Sequence, residues 1–431
     1  MRVDADLLIP GGGAPVRAAT VLIDGETIGF AGATADLPLG SPEAPGLRVP
    51  VLMPGMWDCH CHLHGIRRFS LEDMLLTPVP TAAARAAKEA EAALRAGFTS
   101  LREAGGLGIW LVPAIEEGTV IGPSIYSAGS VLSQTGGHAD VHSLPVGWVG
   151  GACEDGQFLQ LCDGVPECLR AVRLQLRKGA RVIKICASGG VTSAVDDPIH
   201  QQFSDEELRA IVAEAARAER VVMAHCHGKP GIMAALAAGV ASIEHGSYLD
   251  EEAAVAMRES GAVLVPTRTI VERMLAARDQ IPPHAYRKIR ALADRHLEAV
   301  ATARAAGVTI AAGTDIGTTG PDSFLPWGTN GTEPELLRRA GLTPLEAIDA
   351  VTANAPLTLG PQAPKSGMLR AGYDADVLAL RHNPLDDLTR LSSPSEISHV
   401  WRRGRLVPRV SEAAEVGGSG QRDEAGLNAR A

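Results

Sequence analysis

The chain lacks the features of several broad protein classes. Aromatic residues make up 3% of its 431 residues, but 45% are hydrophobic and 21% charged, proportions that are typical of a globular protein and not of a disordered one. No apolar run reaches about 18 residues, the length that a membrane-spanning helix needs. Lys and Arg (40) are outnumbered by Asp and Glu (50). Because nucleic-acid binding depends on a clustered excess of Lys and Arg, we expect no nucleic-acid or membrane partner.

The sequence also shows neither the cysteine spacing of a disulfide scaffold nor a secretion signal. The seven cysteines are odd in number and scattered, without the short repeated spacing of a zinc finger or a small disulfide scaffold. The first residues, Met-Arg-Val-Asp-Ala-Asp, lack the basic start and apolar core of a secretory signal. We therefore expect reduced thiols and a cytoplasmic protein.

The most informative stretch is an apolar run that ends in the sequence Asp-Cys-His-Cys-His. Asp58, His60 and His62 occupy alternate positions, and alternate positions of a strand share one face. His60 and His62 can therefore hold one metal ion of the zinc type, whereas the alternative is a histidine-rich strand end without metal. Cys59 and Cys61 would point to the opposite face, which argues against either thiol as a nucleophile or a ligand.

Between residue 51 and about residue 360, apolar strand candidates alternate with helical patterns, which is typical of parallel βα units. Eight strands are predicted: Val51–His62, Thr99–Ala104, Ile125–Leu132, Val182–Ala187, Val221–His227, Ser242–His245, Val263–Thr267 and Val308–Asp315. Eight parallel strands, each followed by a helix, close into a (β/α)8 TIM barrel with its chemistry at the C-terminal strand ends. The predicted fold class is therefore α/β.

Short strand-like runs near both chain ends, separated by Gly, Pro and Asp-Gly turns, indicate antiparallel sheet. We predict one small β-sandwich domain built from residues 1–52 and 361–411, with the barrel at residues 53–360. Residues 412–431 have the composition of a disordered tail. Residues 133–164 show no helical period and predict a lid or binding loop, with a mobile surface excursion as the alternative.

Further candidate ligands end the predicted strands. Lys184 is the only charged residue of its strand, His225 and His227 end the fifth strand, His245 the sixth and Asp315 the eighth. A single buried histidine is usually a hydrogen-bonded core residue. Several such groups at C-terminal strand ends would meet at one barrel mouth, where this fold places active sites, and so indicate a metal site.

Lys184 is informative because a lysine inside a barrel is costly unless it is neutralised, paired or chemically modified. Addition of carbon dioxide to the neutral amine would give an N6-carboxylated lysine. Its two oxygens can bridge two divalent ions about 3.5–4 Å apart. The alternative is an unmodified lysine that forms a salt bridge with Asp315.

Together these segments resemble the amidohydrolase superfamily, in its binuclear-metal subgroup of Xaa-Pro dipeptidase-like and ochratoxinase-like enzymes. The resemblance spans nearly the whole chain. It rests on these motifs: Met53-Pro-Gly-Met-Trp-Asp-Cys-His-Cys-His62, Ile183-Lys-Ile-Cys-Ala-Ser-Gly-Gly190, His225-Cys-His-Gly228, Ile243-Glu-His-Gly246, Gly313-Thr-Asp315 and Gly367-Met-Leu-Arg-Ala-Gly-Tyr-Asp-Ala-Asp376.

The resemblance implies a centre of two divalent ions, zinc, bridged by carboxylated Lys184 and a hydroxide. The other implied ligands are His60, His62 and Asp315 for the more buried ion, and His225 and His245 for the second. His138 and His227 match positions that contact the substrate carbonyl or its developing oxyanion. His64 is an additional histidine that would lie behind the ligands.

The implied reaction is hydrolysis of an amide bond in a dipeptide or N-acyl amino acid, including ochratoxin A, by a homo-oligomer. Asp315 would take the proton of the attacking water as general base and pass it to the departing amine as general acid. The main alternative is a mononuclear imidazolone-type ring hydrolase or deaminase, against which Lys184 argues because one ion needs no bridge. A catalytically inactive metal-binding barrel subunit is the non-enzyme alternative, against which Asp315 and the full ligand set argue.

The substrate itself is not fixed by these motifs. A substrate carboxylate would need a cation or amide near the barrel mouth. Four cations are available, and the sequence does not choose among them: Lys229, Arg268, Arg67 and Arg68. Trp327 and Phe324 are candidates for an apolar wall beside an acyl or aromatic group.

Overall fold

The computed structural model describes residues 1–44, 46–154, 158–320 and 322–408. The strands in these residues are β1 Arg2–Leu8, β2 Val16–Asp24, β3 Thr27–Ala33, β4 Leu47–Pro54, β5 Met56–Ile66, β6 Phe98–Glu103, β7 Ser124–Ser127, β8 Val131–Ser133, β9 Leu159–Leu161, β10 Ile183–Cys186, β11 Val222–Cys226, β12 Ser242–His245, β13 Val263–Val265, β14 Ile316–Thr318, β15 Val377–Leu380, β16 Ile397–Arg402 and β17 Arg405–Leu406.

The α-helices are α1 Leu71–Leu76, α2 Val79–Arg95, α3 Gly108–Glu116, α4 Val146–Glu154, α5 Gly164–Lys178, α6 Asp205–Ala216, α7 Lys229–Ala238, α8 Glu251–Ser260, α9 Arg268–Ala276, α10 Pro283–Ala305, α11 Glu333–Arg339 and α12 Pro344–Ala350. Short 3₁₀ helices cover Thr34–Asp36, Arg278–Gln280, Asn330–Thr332, Ala355–Gln362, Leu388–Ser392 and Pro394–Glu396. In the part of the chain that the structure describes, no helix combines the length and apolarity needed to cross a bilayer.

Local sequence explains where several helices begin and end. α6 begins after Ser204, whose hydroxyl accepts the backbone N–H of Glu207 while the Glu207 carboxylate accepts the N–H of Ser204. This capping box satisfies two backbone donors that the first turn leaves free. α5 ends at Gly179, which has φ +95° and closes the last turn in the left-handed conformation that glycine adopts readily.

Two parallel sheets carry the central part of the chain. One has the strand order β14-β5-β6-β7 and the other β13-β12-β11-β10-β8-β9. All residues of β10, β11 and β12 are buried, as expected for parallel strands that are covered on both faces. The predicted α/β class with parallel strands is confirmed.

Backbone hydrogen bonds also run between these two sheets. On one side the Arg181 N–H donates to the Ser127 carbonyl at 2.9 Å, which connects the start of β10 with β7. On the other side the segment around residue 310 forms backbone hydrogen bonds with a strand of each sheet. Leu264 in β13 accepts from Ala311 at 2.9 Å, and Cys59 in β5 donates to Ala312 at 2.8 Å.

Strands from both chain ends form a separate seven-stranded sheet in the order β17-β16-β15-β4-β1-β2-β3. β1 pairs parallel with β4 and antiparallel with β2, and β15 pairs antiparallel with β4 and β16. The expected additional sheet is therefore present. The predicted tail, residues 412–431, lies outside the described residues.

The first predicted barrel strand, Val51–His62, is wrong as a single element. β4 ends at Pro54 in the seven-stranded sheet, and β5 begins at Met56 in the parallel sheet. Gly55 lies between the two strands. Its backbone lies so close to Thr99 that a Cβ would be 2.1 Å from the hydroxyl oxygen. The apolar run continues through this point because both sheets are buried there, so hydrophobicity alone gave no boundary.

Three other predicted elements also differ. Ile125–Leu132 is two strands, β7 and β8, because Gly129 between them has φ +74°. Val308–Asp315 forms only an isolated bridge from Ile310 to Leu264, and the chain turns at Asp315, which has φ +60°. Residues 133–164 contain α4 and β9, whereas no helix was predicted. The α4 sequence is apolar and glycine-rich all round and therefore shows no period.

Candidate metal centre

Two groups of possible metal ligands lie together, the first within β5 and directly before β14 and the second at the C-terminal ends of β11 and β12. In each group the ligand atoms lie within 4.8 Å of one another: His60, His62 and Asp315 in the first, and His225, His227 and His245 in the second. In the first group, Asp315 Oδ1 is 3.1 Å from His62 Nε2 and 3.6 Å from His60 Nε2. The two groups adjoin, since the rings of His60 and His245 have their centroids 5.0 Å apart.

The backbone is bent to bring these side chains together. His245 and Asp315 both have positive φ, +70° and +60°, His245 at the end of β12 and Asp315 directly before β14. The Asp315 N–H donates to the His60 carbonyl at 2.7 Å, which fixes the Asp315 segment against β5. Gly313 permits this close approach, because a Cβ there would be 2.8 Å from the His60 Cβ.

The Nδ1 atoms of three of these histidines are occupied by hydrogen-bond partners away from the centre. His62 Nδ1 lies 2.8 Å from the Gly105 carbonyl. His227 and His245 Nδ1 each lie 2.7 Å from a hydroxyl, that of Ser247 and that of Thr267. Such partners fix the ring orientation and leave Nε2 for the centre, as is common for metal-binding histidines.

The charge state of these groups suits divalent ions. Burial lowers the pKa of His60 to about 4 and holds the pKa values of His225, His227 and His245 well below their usual range. Burial raises the pKa of Asp315, but hydrogen bonding and charge interactions with the nearby histidines outweigh it and lower that pKa to about 2. Neutral imidazoles and an ionised carboxylate are the ligand forms that zinc and related ions accept.

Lys184 lines the same cavity as both groups and contacts the first of them. Its Nζ is 3.3 Å from His60 Nε2, and the side chain is buried. Burial lowers its pKa, which favours the neutral amine that carbon dioxide requires. The alternative salt bridge to Asp315 is not formed in the described residues, where the ion-pair contacts of Asp315 are with His60 and His62.

His138 reaches the site from the long connection after β8. Its Nδ1 lies 2.8 Å from the Ser193 hydroxyl, and its ring stacks on that of His225 with centroids 4.1 Å apart. Burial lowers the pKa of His138 to about 4. The supporting loop is held by Lys288 of α10, which donates to the backbone carbonyls of Gly190 and Ser193 at 3.0 and 2.8 Å. His138 is therefore a neutral group in a fixed position.

An enclosed cavity of about 110 Å³ opens directly above these groups. Lys184 and Asp315 are the only described lysine, arginine or acidic side chains that line it. The opposite wall is apolar and comes from α1, α9, α10 and several loops: Phe69, Leu71, Met74, Val131, Phe158, Val191, Ile270, Val271, Met274 and Ile289. The cavity can thus hold an apolar group of about the size of one aromatic ring beside the ligands.

The other predicted substrate residues divide into two sets. Lys229 forms exposed ion pairs with Asp250 and Glu252, and the buried Arg268 turns away to the Ala293 carbonyl and Glu272, so neither lines the cavity. Arg67, Arg68 and Phe324 line an adjacent outer cleft. Trp327 packs against the core and lines neither space. His64 lines the cavity and stacks on His62, with ring centroids 4.8 Å apart.

The sequence reasoning missed the support beneath His60. Glu244 Oε2 lies 2.8 Å from His60 Nδ1, and Arg102 Nη2 donates to both Glu244 oxygens at 2.8 Å. Burial raises the pKa of Glu244, but Arg102 and His60 outweigh it and lower that pKa to about 2. The signal available in the sequence was Glu244, the only acid in the buried strand Ser-Ile-Glu-His. Strand alternation places Glu244 on the same face as Ser242.

Asp58, the first residue of the Asp-x-His-x-His pattern, is a support and not part of either ligand group. Its carboxylate accepts hydrogen bonds from the Thr314 backbone and hydroxyl at 3.0 and 2.5 Å and from the Asn330 amide at 2.7 Å. Burial raises its pKa to about 6. Asp58 thereby ties the start of β5 to the segment that carries Asp315.

Comparison with known proteins covers nearly the whole chain. The amidohydrolase family profile matches residues 51–407. Ochratoxinase of Aspergillus niger is 47% identical over 420 residues, which cover 93% of this chain and 85% of that protein. The crystal structure of A. niger ochratoxinase matches with a TM-score of 0.88 at 46% identity over 94% of both chains. A prolidase crystal structure in complex with N-methylphosphonate-L-proline matches with a TM-score of 0.85 at 32% identity, covering 95% of this chain and 100% of that one.

Proposed function

This chain belongs to the amidohydrolase family and is a metal-dependent hydrolase of amide carbon–nitrogen bonds, and from this premise we propose that two divalent ions serve one catalytic centre that cleaves N-acyl amino acids or dipeptides. The observation that carries the proposal is the contact between two ligand groups with a buried lysine at their junction. A single-ion centre would leave one of these groups, and Lys184, without a role.

The proposed ligands follow the two groups. His60, His62 and Asp315 would hold one ion, and His225 and His245 the other, with N6-carboxylated Lys184 shared between them. The low pKa of the Lys184 amine supports the modification, because carbon dioxide adds to a neutral amine. When bound, two ions of the zinc type would supply Lewis acidity toward the scissile carbonyl and lower the pKa of water.

The proton transfers are assigned to Asp315. Its carboxylate is ionised and borders the cavity, so it can accept the proton of the attacking water and return it to the departing amine. Protonation matters for an amide because an amine anion is a very poor leaving group. The ring nitrogens of His60 and His245 are assigned to the ions and are therefore not free to carry the proton.

His138 and His227 are proposed to contact the substrate carbonyl oxygen or its developing oxyanion. Both line the cavity and both are neutral. The Ser247 hydroxyl can donate to His227 Nδ1 and so leave a proton on Nε2 for the substrate. The Ser193 hydroxyl donates to Asp196, so His138 Nδ1 donates to Ser193, and His138 would need a second proton to donate through Nε2. His227 also lies within ligand distance of His225 and His245. We assign it to the substrate because two histidines and the carbamate already give the second ion three protein ligands, the usual number at a catalytic zinc site.

The apolar wall indicates the kind of amide. An apolar group of about one ring, from the acyl part or from a side chain, would fill the cavity and exclude water from the scissile bond. Burial of such a group contributes roughly 25 cal/mol per Å² of apolar area. Ochratoxin A, a bulky acyl group on phenylalanine, fits this description. The similarity to A. niger ochratoxinase supports including it among the proposed substrates.

Finer points of the fold also remain proposals. We propose that the two parallel sheets belong to one closed (β/α)8 barrel at residues 53–360, supported by the hydrogen bonds that run between the sheets. Residues 1–52 and 361–411 would form the small β-sandwich domain.

A cytoplasmic location is supported by seven free, buried cysteines. A homo-oligomer is proposed from the family resemblance, and the molar mass in solution tests it.

A hydrolysis panel tests the proposed activity. Zinc-loaded protein is incubated with N-acyl amino acids of increasing acyl size, Xaa-Pro dipeptides, ochratoxin A and imidazolone-type rings, and amine release is measured. We expect release from the amides, with kcat/KM increasing with apolar acyl size. Turnover of the ring substrates alone would replace this proposal by the mononuclear alternative. Metal binding without turnover of any compound would support the inactive subunit.

A further inference from the structure

Among the residues that the structure describes, the inner cavity has no free cation for a carboxylate. Its one lysine, Lys184, is buried against His60 and is assigned to the metal bridge, and its one acid, Asp315, would repel an anion. The remaining polar groups of its wall are the neutral histidines, Thr192 and the buried thiol of Cys186. An amino-acid carboxylate that is recognised through charge must therefore be recognised outside this cavity.

A larger cleft of about 1140 Å³ adjoins the cavity at Phe69, which lines both spaces. Three arginines line this cleft, and two of them are engaged. Arg68 donates to the Asp73 carboxylate through two nitrogens at 2.9 and 2.8 Å, and Arg85 donates to a backbone carbonyl at 3.3 Å. Arg67 has neither an ion pair nor a side-chain hydrogen bond with any residue that the structure describes.

Arg67 is placed by the same two segments that carry the first ligand group. It directly follows β5, five residues after His62. Its guanidinium lies along the backbone of Gly320, five residues after Asp315, where a Cβ would be 3.4 Å from Nε and 3.5 Å from an Nη. The guanidinium therefore lies where the segment that follows His62 and the segment that follows Asp315 continue beyond the metal centre.

We propose that Arg67 binds the carboxylate of the amino-acid part of the substrate, which rests on the proposed amide hydrolysis. The acyl group would fill the inner cavity, and the carboxylate would extend past Phe69 into the cleft. An arginine can bind a carboxylate through two parallel N–H···O bonds, which fixes orientation as well as charge. The acids that line the cleft are Glu72, Asp73, Asp279 and Asp322, of which Asp73 is paired with Arg68.

The test pairs one change in the enzyme with one change in the substrate. N-benzoyl-phenylalanine and N-benzoyl-phenylalaninamide differ only in whether the carboxylate is present. For the wild type we expect the acid to be preferred. For Arg67→Gln, kcat/KM for the acid falls about tenfold or more, mainly through KM, while kcat/KM for the amide changes less than about twofold. Added salt should raise KM for the acid in the wild type only, because it screens an exposed ion pair.

Arg68→Gln is the matched control, since Arg68 lies in the same cleft but is paired with Asp73, and it should leave the acid preference intact. Equal losses on both substrates for Arg67→Gln, or the same loss for Arg68→Gln, would overturn the assignment. Binding of both compounds to zinc-loaded Asp315→Asn protein, measured by calorimetry, separates this inference from the proposed function. If the wild type hydrolyses neither these two compounds nor any amide of the hydrolysis panel, the proposed function fails. In that case tighter binding of the acid that depends on Arg67 would sustain the inference, and equal binding would end it.

Discussion

Glu244 Oε2 and His60 Nδ1 lie 2.8 Å apart in the interior of the protein, and neither side chain is exposed by more than 1%. The carboxylate is held from below by Arg102, which donates to both of its oxygens. This arrangement orients the His60 ring and directs Nε2 to the metal centre. It also keeps a buried negative charge next to a neutral imidazole that would bind a cation.

We expect Glu244→Gln to weaken metal binding. The amide keeps an acceptor for His60 but removes the charge, and it leaves the buried Arg102 without its ionic partner. Loss of such an outer partner typically costs about 10–100-fold in metal affinity or activity. Zinc affinity measured against a competing chelator tests this, with Glu335→Gln, at an exposed ion pair, as the control. Wild-type affinity in a folded Glu244→Gln protein would show that the pair only fills space.

Asp315→Asn should lower kcat by about 100-fold or more, because it removes proton transfer while keeping the size of the side chain. Since Asp315 is also a proposed ligand, zinc content is measured on the same samples. Asp294→Asn, at an exposed carboxylate of α10 that lines neither the cavity nor the cleft, is the matched control and should keep near-normal turnover. Near-normal kcat for Asp315→Asn would mean that another residue moves the proton.

Lys184→Ala should lose metal and activity together, because both ions would lose their shared ligand. Added bicarbonate should speed recovery of zinc-treated apo-protein, and short carboxylic acids should partly restore the variant by occupying the vacated position. Lys229→Ala removes an exposed, ion-paired lysine and should change neither property. The carbamate is excluded if the active protein shows an unmodified amine at residue 184 by crystallography, or if Lys184→Ala binds two ions and turns over normally.

Active protein should contain about two divalent ions per chain, and chelation should abolish hydrolysis until metal is restored. Elemental analysis during stepwise removal gives the number of ions that activity requires. Full activity with one ion per chain would favour the mononuclear alternative.

Asp376 predicts a pH dependence of stability that is independent of the metal centre. Burial raises its pKa from 3.8 to about 6, although its carboxylate accepts the Arg403 N–H at 2.7 Å. Because the folded pKa is higher than the unfolded one, the contribution is complete below pH 3.8 and is lost as pH rises through about 6. Asp376→Asn stays neutral, so its advantage in the free energy of unfolding should grow over this range, by up to about 3 kcal/mol.

Urea denaturation of the wild type and Asp376→Asn at several pH values measures this difference. Asp36→Asn, at an exposed carboxylate, is the control. A constant difference between Asp376→Asn and the wild type across the range would contradict the expected titration.

The sequence was sufficient for the family and for the residues that the two ligand groups contain. His60, His62, His245 and Asp315 were found because each ends an apolar strand predicted from the sequence, and parallel strands carry their C-terminal ends to one side of a sheet. In the structure His60 and His62 lie within β5 and Asp315 directly precedes β14. The same reasoning could not separate β4 from β5, since the apolar run that ends in the histidines enters two different sheets. It also could not find α4, whose residues show no polar face.

Amino-acid order by itself determined the α/β class, the family and which side chains could bind metal, because these depend on local period and spacing. Only the tertiary structure decided what surrounds them. Glu244 and Arg102 support His60 across the interior, and the apolar wall comes from helices that are far apart in the chain. Among the candidate cations, Lys229 and Arg268 are engaged elsewhere and Arg67 is left free of a described partner. Such contacts depend on which distant segments pack together, and no local pattern in the sequence records that.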